Sequence, residues 1–150
     1  MTLSPRDRAR RCAEIMWSDD GASSWMGMEM LAVDEGTADF ALTVAAHHAN
    51  GHGICHGGVT FALADTAFAF ACNSRNQNTL AQHNLISYLA PVHVGDRIVA
   101  SAREVSLSGR FGIYDVTVTN QFGHKVAEFR GHSCAIRGRL FEESAPGEAT

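Results

Sequence analysis

Residues 57–72, Gly-Gly-Val-Thr-Phe-Ala-Leu-Ala-Asp-Thr-Ala-Phe-Ala-Phe-Ala-Cys, place the tightest constraint on what this chain can fold into. Alanine-rich composition favours a helix, and the segment is apolar on every side, so it has no face to offer water and must be wrapped by other structure. Asn73-Ser74-Arg75-Asn76 ends it. The wrapping has to come from the rest of the chain. Downstream, strand candidates lie around 79–89, 96–107, 111–120 and 124–136, separated by Pro91 with Gly95, by Ser108-Gly109 and by Gly123. Long strands on short turns predict an antiparallel sheet. Upstream, two short segments flank Asp34-Glu35-Gly36, and the second alternates Ala38, Phe40, Leu42 and Val44 with polar or small residues, which reads as a hairpin. One buried helix and about six strands predict an α+β fold, a curved antiparallel β-sheet wrapped around a long central α-helix.

Ser4, Pro5 and Asp7 form a helix-start signature, followed by Ala9, Cys12, Ala13 and Met16 at helical spacing, so an amphipathic helix is expected over about residues 5–18. The next residues, Ser18-Asp19-Asp20-Gly21, read as a polar break, and 45–56 as an irregular loop rich in His, Gly and Asn. With 150 residues, 45% hydrophobic and 19% charged, the chain reads as a single domain, residues 1–150, with a core over about 5–138 and a frayed polar tail from Glu142. The formal charge of −4 provides no global basic field for nucleic acid or an acidic membrane. Cys12, Cys55, Cys72 and Cys134 are widely spread with no Cys-x-x-Cys, which points to reduced thiols. The polar start lacks the apolar run of a secretory signal, and no stretch approaches a membrane span, so a cytoplasmic location is expected.

Asp65 stands out within the apolar helix, with Phe61, Ala62, Phe68 and Ala69 on its own face. Burying an unpaired carboxylate costs several kcal/mol. Asp65 is therefore a structural acid satisfied by backbone N–H groups or an arginine, an acid that merely faces a solvent gap, or a desolvated base or nucleophile. Gly57 opens the same helix, where an unobstructed amide backed by the helix dipole suits a carbonyl oxygen gaining negative charge; Gly57 and Gly58 could equally serve close packing alone. Eight residues of helix separate Gly57 from Asp65 by ~12 Å, too far for both to touch one reacting group. Two such helices antiparallel about a two-fold axis would bring Asp65 of one subunit to Gly57 of the other, so the catalytic reading requires a homodimer.

The runs Asn50-Gly51-His52-Gly53-Ile54-Cys55-His56-Gly57-Gly58, Phe61-Ala62-Leu63-Ala64-Asp65-Thr66-Ala67-Phe68-Ala69 and Ala71-Cys72-Asn73-Ser74 closely resemble the hot-dog-fold thioesterases of phenylacetic acid degradation. The similarity extends from about residue 10 through Ile136 and includes Gly112-Ile113-Tyr114-Asp115 and Phe129-Arg130-Gly131. This resemblance implies hydrolysis of phenylacetyl-CoA, hydroxyphenylacetyl-CoA or related aryl or medium-chain acyl-CoA thioesters to the free acid and CoA, with no metal or redox cofactor. It implies Asp65 as the catalytic carboxylate, base or nucleophile, and the Gly57 amide as the polariser of the thioester carbonyl. Asn50, His56 and Gly58 match positions lining the reacting centre, and the family's usual assembly is a dimer of dimers. One departure is Ala90, in Ile86-Ser87-Tyr88-Leu89-Ala90-Pro91, where the family often carries a basic residue. The CoA phosphates would then depend on other cations, with Arg110 and Arg130 as candidates.

Other chemistries leave weaker traces. His47, His48, His52, Cys55 and His56 crowd one loop with potential zinc ligands, but no distant pair completes a zinc pattern. Cys55 beside His56 is not placed as a nucleophile, because adjacent side chains in an extended loop point apart. No Gly-x-Ser-x-Gly elbow, phosphate loop or dinucleotide fingerprint occurs. The same fold also serves non-catalytic acyl-CoA-binding modules and enoyl-CoA hydratases or dehydratases, and both stand as alternatives.

Overall fold

The computed structural model describes residues 2–144. In chain order the elements are α1 (Pro5–Asp19), α2 (Gly21–Met26), β1 (Glu29–Asp34), β2 (Thr37–Thr43), α3 (Gly57–Cys72), β3 (Thr79–Tyr88), β4 (Arg97–Ser108), β5 (Phe111–Thr119) and β6 (Lys125–Ala135), with a 3₁₀ turn at Ala46–His48. The strands form a six-stranded sheet in the order β1-β2-β4-β5-β6-β3, with every neighbouring pair antiparallel. α3 lies across the sheet and packs against all of its strands, which is how a helix without a polar face is kept from water.

The sheet's inward positions follow its pleat: Gly112, Tyr114, Val116 and Val118 of β5 are buried, alternating with partly exposed neighbours. They meet Leu63, Ala64, Ala67, Phe68, Phe70 and Ala71 of α3. Phe68 stacks against Tyr114 and Phe129 at centroid separations of 5.6 and 5.8 Å. That packing explains one residue of the Phe-Arg-Gly run, because a Cβ at Gly131 would stand 2.8 Å from the Phe68 ring. Only a bare Cα lets β6 come so close to the helix.

α1 begins as its sequence predicts: the Ser4 hydroxyl accepts the Asp7 N–H at 3.1 Å and donates to the Asp7 carboxylate at 2.6 Å. The polar break after it is instead the start of α2, where Asp20 accepts the Ser23 N–H at 2.9 Å and the Ser23 hydroxyl at 2.7 Å. A six-residue helix is too short to show an apolar period, so only this cap could have announced it. The first residues of the polar tail from Glu142 lie within the described residues and carry no helix or strand. The Glu143 carboxylate is forked by Arg8 at 2.8–3.1 Å, and Asn76 accepts the Leu140 and Phe141 amides at 3.0 and 3.1 Å. Residues 145–150 of that tail lie outside the described residues.

β3 occupies the sheet edge beside β6, and most of it is exposed, including Leu80, Leu85 and Tyr88. Asn84 and Ile86 face α3 from this strand: Asn84 bonds to Asp65, and Ile86 packs on the core.

Candidate active site

The amino end of α3 is built around His56. Its backbone is extended at the cap position, its Nδ1 accepts the Gly58 N–H at 2.8 Å, and its carbonyl accepts the Val59 N–H at 2.9 Å. The Gly58 amide is thereby engaged, whereas the Gly57 amide has no acceptor among the described residues. The Gly57 carbonyl accepts the Tyr88 hydroxyl at 2.8 Å, and a Cβ on Gly57 would stand 3.0 Å from the Tyr88 ring. Tyr88 therefore fixes this backbone and would have to give by a few tenths of an ångström to admit a Cβ there. A cavity of about 350 Å³ opens at this point, with Asn50, Gly57, Thr60, Tyr88, Ala90 and Val92 in its wall. Asn50 accepts the His52 N–H at 2.9 Å through its side-chain oxygen, which closes the turn and orients the amide.

Two turns along α3, Asp65 is half-buried and accepts a hydrogen bond from the Asn84 side-chain amide at 2.8 Å. Neither a backbone N–H nor an arginine satisfies it among the described residues. Burial pushes its carboxyl above the ordinary carboxylate range, and the Asn84 donor pulls in the other direction. Asp65 opens on a separate cavity of about 420 Å³ whose apolar wall is formed by Met16, Met26, Met28, Ala62, Ala69 and Phe70. Gly57 and Asp65 thus face different cavities of the chain, in keeping with the ~12 Å of helix between them.

The remaining candidates lie apart. Arg130 forks Asp115 with bonds of 2.6 and 2.9 Å on the exposed surface of the sheet and lines neither cavity. Arg110 donates to the Ala135 carbonyl at 3.1 Å and borders a cavity of about 680 Å³ with Gln77 and Arg137, at the end of β3 opposite Tyr88. The crowded histidines have separate duties. Buried His48 accepts the Ala45 N–H through Nδ1 at 2.9 Å, which leaves Nε2 to donate to the Met26 carbonyl at 2.8 Å, while His56 caps α3. No group of three or more His, Cys, Asp or Glu with metal-holding geometry occurs among the described residues. All four cysteines are free, and burial pushes the Cys55 thiol up, away from the thiolate a nucleophile needs.

Sequence reasoning missed Tyr88 and Asn84 as site residues. The signal was present: Asn84, Ile86 and Tyr88 alternate along one strand and so share the face turned to the helix. Without knowing that β3 borders α3 rather than the sheet interior, nothing singled that face out.

A six-stranded antiparallel sheet curved round a long helix is the hot-dog architecture. Comparison with known proteins places the chain within that class. Residues 52–127 match the thioesterase superfamily. The chain is 39% identical to the acyl-coenzyme A thioesterase PaaI of Escherichia coli K12 over 91% of its own length and 98% of that protein. The structure of the E. coli PaaI protein from the phenylacetic acid degradation operon superposes with a TM-score of 0.89 over 91% of this chain and 99% of that one. The TT0310 protein from Thermus thermophilus is 38% identical, with a TM-score of 0.76 over 78% of this chain and 98% of its own. The protein smu.793 from Streptococcus mutans UA159, bound to acetyl-CoA, is 26% identical, with a TM-score of 0.72 over 75% of this chain and 91% of its own. The chain belongs to the thioesterase superfamily, and within it is a PaaI-like acyl-CoA thioesterase. Among its described residues no helix is long and apolar enough to cross a membrane.

Proposed function

We propose that the enzyme hydrolyses phenylacetyl-CoA, hydroxyphenylacetyl-CoA or related aryl or medium-chain acyl-CoA thioesters, with Asp65 as the catalytic carboxylate and the Gly57 amide as the group that polarises the carbonyl. The observation that carries this reading is the half-buried carboxylate on the wall of an apolar, Met- and Phe-lined cavity. Such a wall receives an apolar acyl group and keeps the carboxylate poorly solvated, hence reactive. As the thioester carbonyl is attacked, its oxygen gains charge, and the unengaged Gly57 N–H with the helix dipole behind it stabilises that charge.

In this reading Asp65 either takes a proton from water as the water oxygen bonds to the carbonyl carbon, or bonds to that carbon itself and is released by water. Both routes break the C–S bond, send the electron pair and a proton to sulfur, and yield the free acid and the CoA thiol. No step is assigned to a metal or redox cofactor. Asn50, on the wall beside Gly57, and His56, with its hold on Gly58, orient the thioester at the amide. Arg110, exposed beside Arg137, is the better-placed cation for the CoA phosphates, because the Arg130 guanidinium is already occupied by Asp115.

Because Gly57 and Asp65 face separate cavities of one chain, the halves of the reaction in this reading fall on different subunits, and the working unit is a homodimer in which Asp65 meets Gly57 of the partner subunit, itself part of a dimer of dimers. The long exposed edge of β3 beside α3 supports such an association. A cytoplasmic location accords with the four free thiols.

The decisive experiment is Asp65→Asn, assayed by thiol release over a panel of acyl-CoA thioesters. Loss of a positioned base or nucleophile should lower kcat by about 10²- to 10⁴-fold with KM little changed and the fold intact by circular dichroism. Equal turnover by the asparagine variant would remove Asp65 from the chemistry, and the best thioester of the panel defines the acyl group.

A further inference from the structure

We propose that Asn84 is a positioning residue of the reaction: its amide nitrogen holds one oxygen of Asp65 and leaves the other to face the substrate. The inference rests on the catalytic reading of Asp65. A carboxylate can only accept, so the 2.8 Å contact fixes the Asn84 amide with its nitrogen towards Asp65 and its oxygen away. That oxygen is buried and has no donor among the described residues. An orphaned acceptor in such a place costs stability, and an apolar side chain like Ile86, two residues on along the same face, would serve the packing better. The side-chain partner that gives the amide a purpose is Asp65. Asn84 also sits opposite Gly131 in the β3–β6 register, where the bare Cα of β6 lies close against the Phe68 ring of α3.

The surroundings leave this hydrogen bond as the main polar influence on Asp65. From its own helix the nearest titratable group is Cys72, whose thiol is pushed up to about 12 by burial and by the charge of Asp65 and so stays neutral. From α1 and its junction with α2, Asp19 and Asp20 border the same cavity, and both oxygens of Asp20 are taken by Ser23. From the sheet side, β3 and β6 present Asn84, Ile86, Phe129 and Gly131, none of them charged, and Tyr114 of β5 directs its hydroxyl to Glu104 at 2.9 Å. Burial raises the Asp65 carboxyl and Asn84 opposes that rise. The reaction needs the ionised form, so activity falls as pH drops through the value Asp65 has in the site. Losing the donor moves that fall to higher pH.

The test is the pH dependence of kcat/KM for phenylacetyl-CoA in the wild type, Asn84→Leu and Asn84→Asp. The leucine variant removes the donor at nearly constant volume, and the aspartate variant keeps the shape but sets a second carboxyl beside the first. The acid limb should rise by about one pH unit in Asn84→Leu and further in Asn84→Asp, where two neighbouring carboxyls cannot both ionise easily. In Asn84→Leu, kcat at neutral pH should fall about ten-fold with KM within about two-fold, since the group acts on the reacting carboxylate and not on substrate binding. A purely structural asparagine would lower the amount of folded enzyme without moving the limb. Acid limbs that coincide with the wild type in both variants, while Asp65→Asn is inactive, would overturn the role of Asn84 and leave that of Asp65 standing; an active Asp65→Asn would overturn both.

Discussion

At Gly57 three demands meet on one residue: a free amide at the helix start, a carbonyl that accepts the Tyr88 hydroxyl at 2.8 Å, and a Tyr88 ring 3.0 Å from where a Cβ would be. Gly57→Ala should therefore push either Tyr88 or the first turn of α3 aside by a few tenths of an ångström. A donor that must meet a developing oxyanion tolerates little displacement, so kcat should drop roughly 10- to 100-fold, below the loss expected for complete removal of such a donor. Steady-state kinetics on acyl-CoA thioesters would show it, with thermal unfolding nearly unchanged because Tyr88 is exposed and can move. Gly57 and Asp65 were legible in the sequence because each violates its local context, an acid in an apolar helix and a glycine as its first residue. Asn84 and Tyr88 were not, because an asparagine or a tyrosine in a strand violates nothing until the neighbouring element is known.

The pairing of α3 with β6 depends on an absent side chain. A methyl group at Gly131 would lie 2.8 Å from three carbons of the fully buried Phe68 ring, which is itself wedged between Tyr114 and Phe129. Overpacking of this kind costs about 1–3 kcal/mol, so Gly131→Ala should lower Tm by roughly 2–10 °C, measured by calorimetry or circular dichroism. Gly131→Ala with Phe68→Leu should recover part of the loss, whereas two independent defects would add. Element boundaries were legible to within a residue or two for α1, α3 and all four downstream strands, because each is long enough to show its period and is closed by Gly, Pro or a polar cap. α2 was not legible: six residues hold less than two turns, and its Asp20 cap lies in a run that reads as a break.

For the whole molecule, the proposed division of the reaction between subunits makes a prediction that no single chain can satisfy. Asp65→Asn and Gly57→Ala chains, each poorly active alone, should regain activity when co-expressed with different tags and purified as the hybrid. One of the hybrid's two sites then combines the intact Asp65 of one chain with the intact Gly57 of the other, so turnover per dimer should approach half that of the wild type. A hybrid no more active than the mean of its parents would place both groups in one protomer's site and sink the shared-site reading. The sequence by itself determined the longer helices and the strands, though not α2, and that the apolar helix must be enclosed, because periodicity, capping and burial cost are written in neighbouring residues. It also marked the carboxylate and the amide that now define the candidate site. Only the tertiary structure decided that β3 is an edge strand lying beside β6, which puts Asn84 on Asp65 and Tyr88 on Gly57, and that Arg130 is occupied by Asp115. Strand order and the contacts across it are set by packing between residues far apart in the chain, and local patterns of charge and hydrophobicity carry no record of which distant partner each side chain will meet.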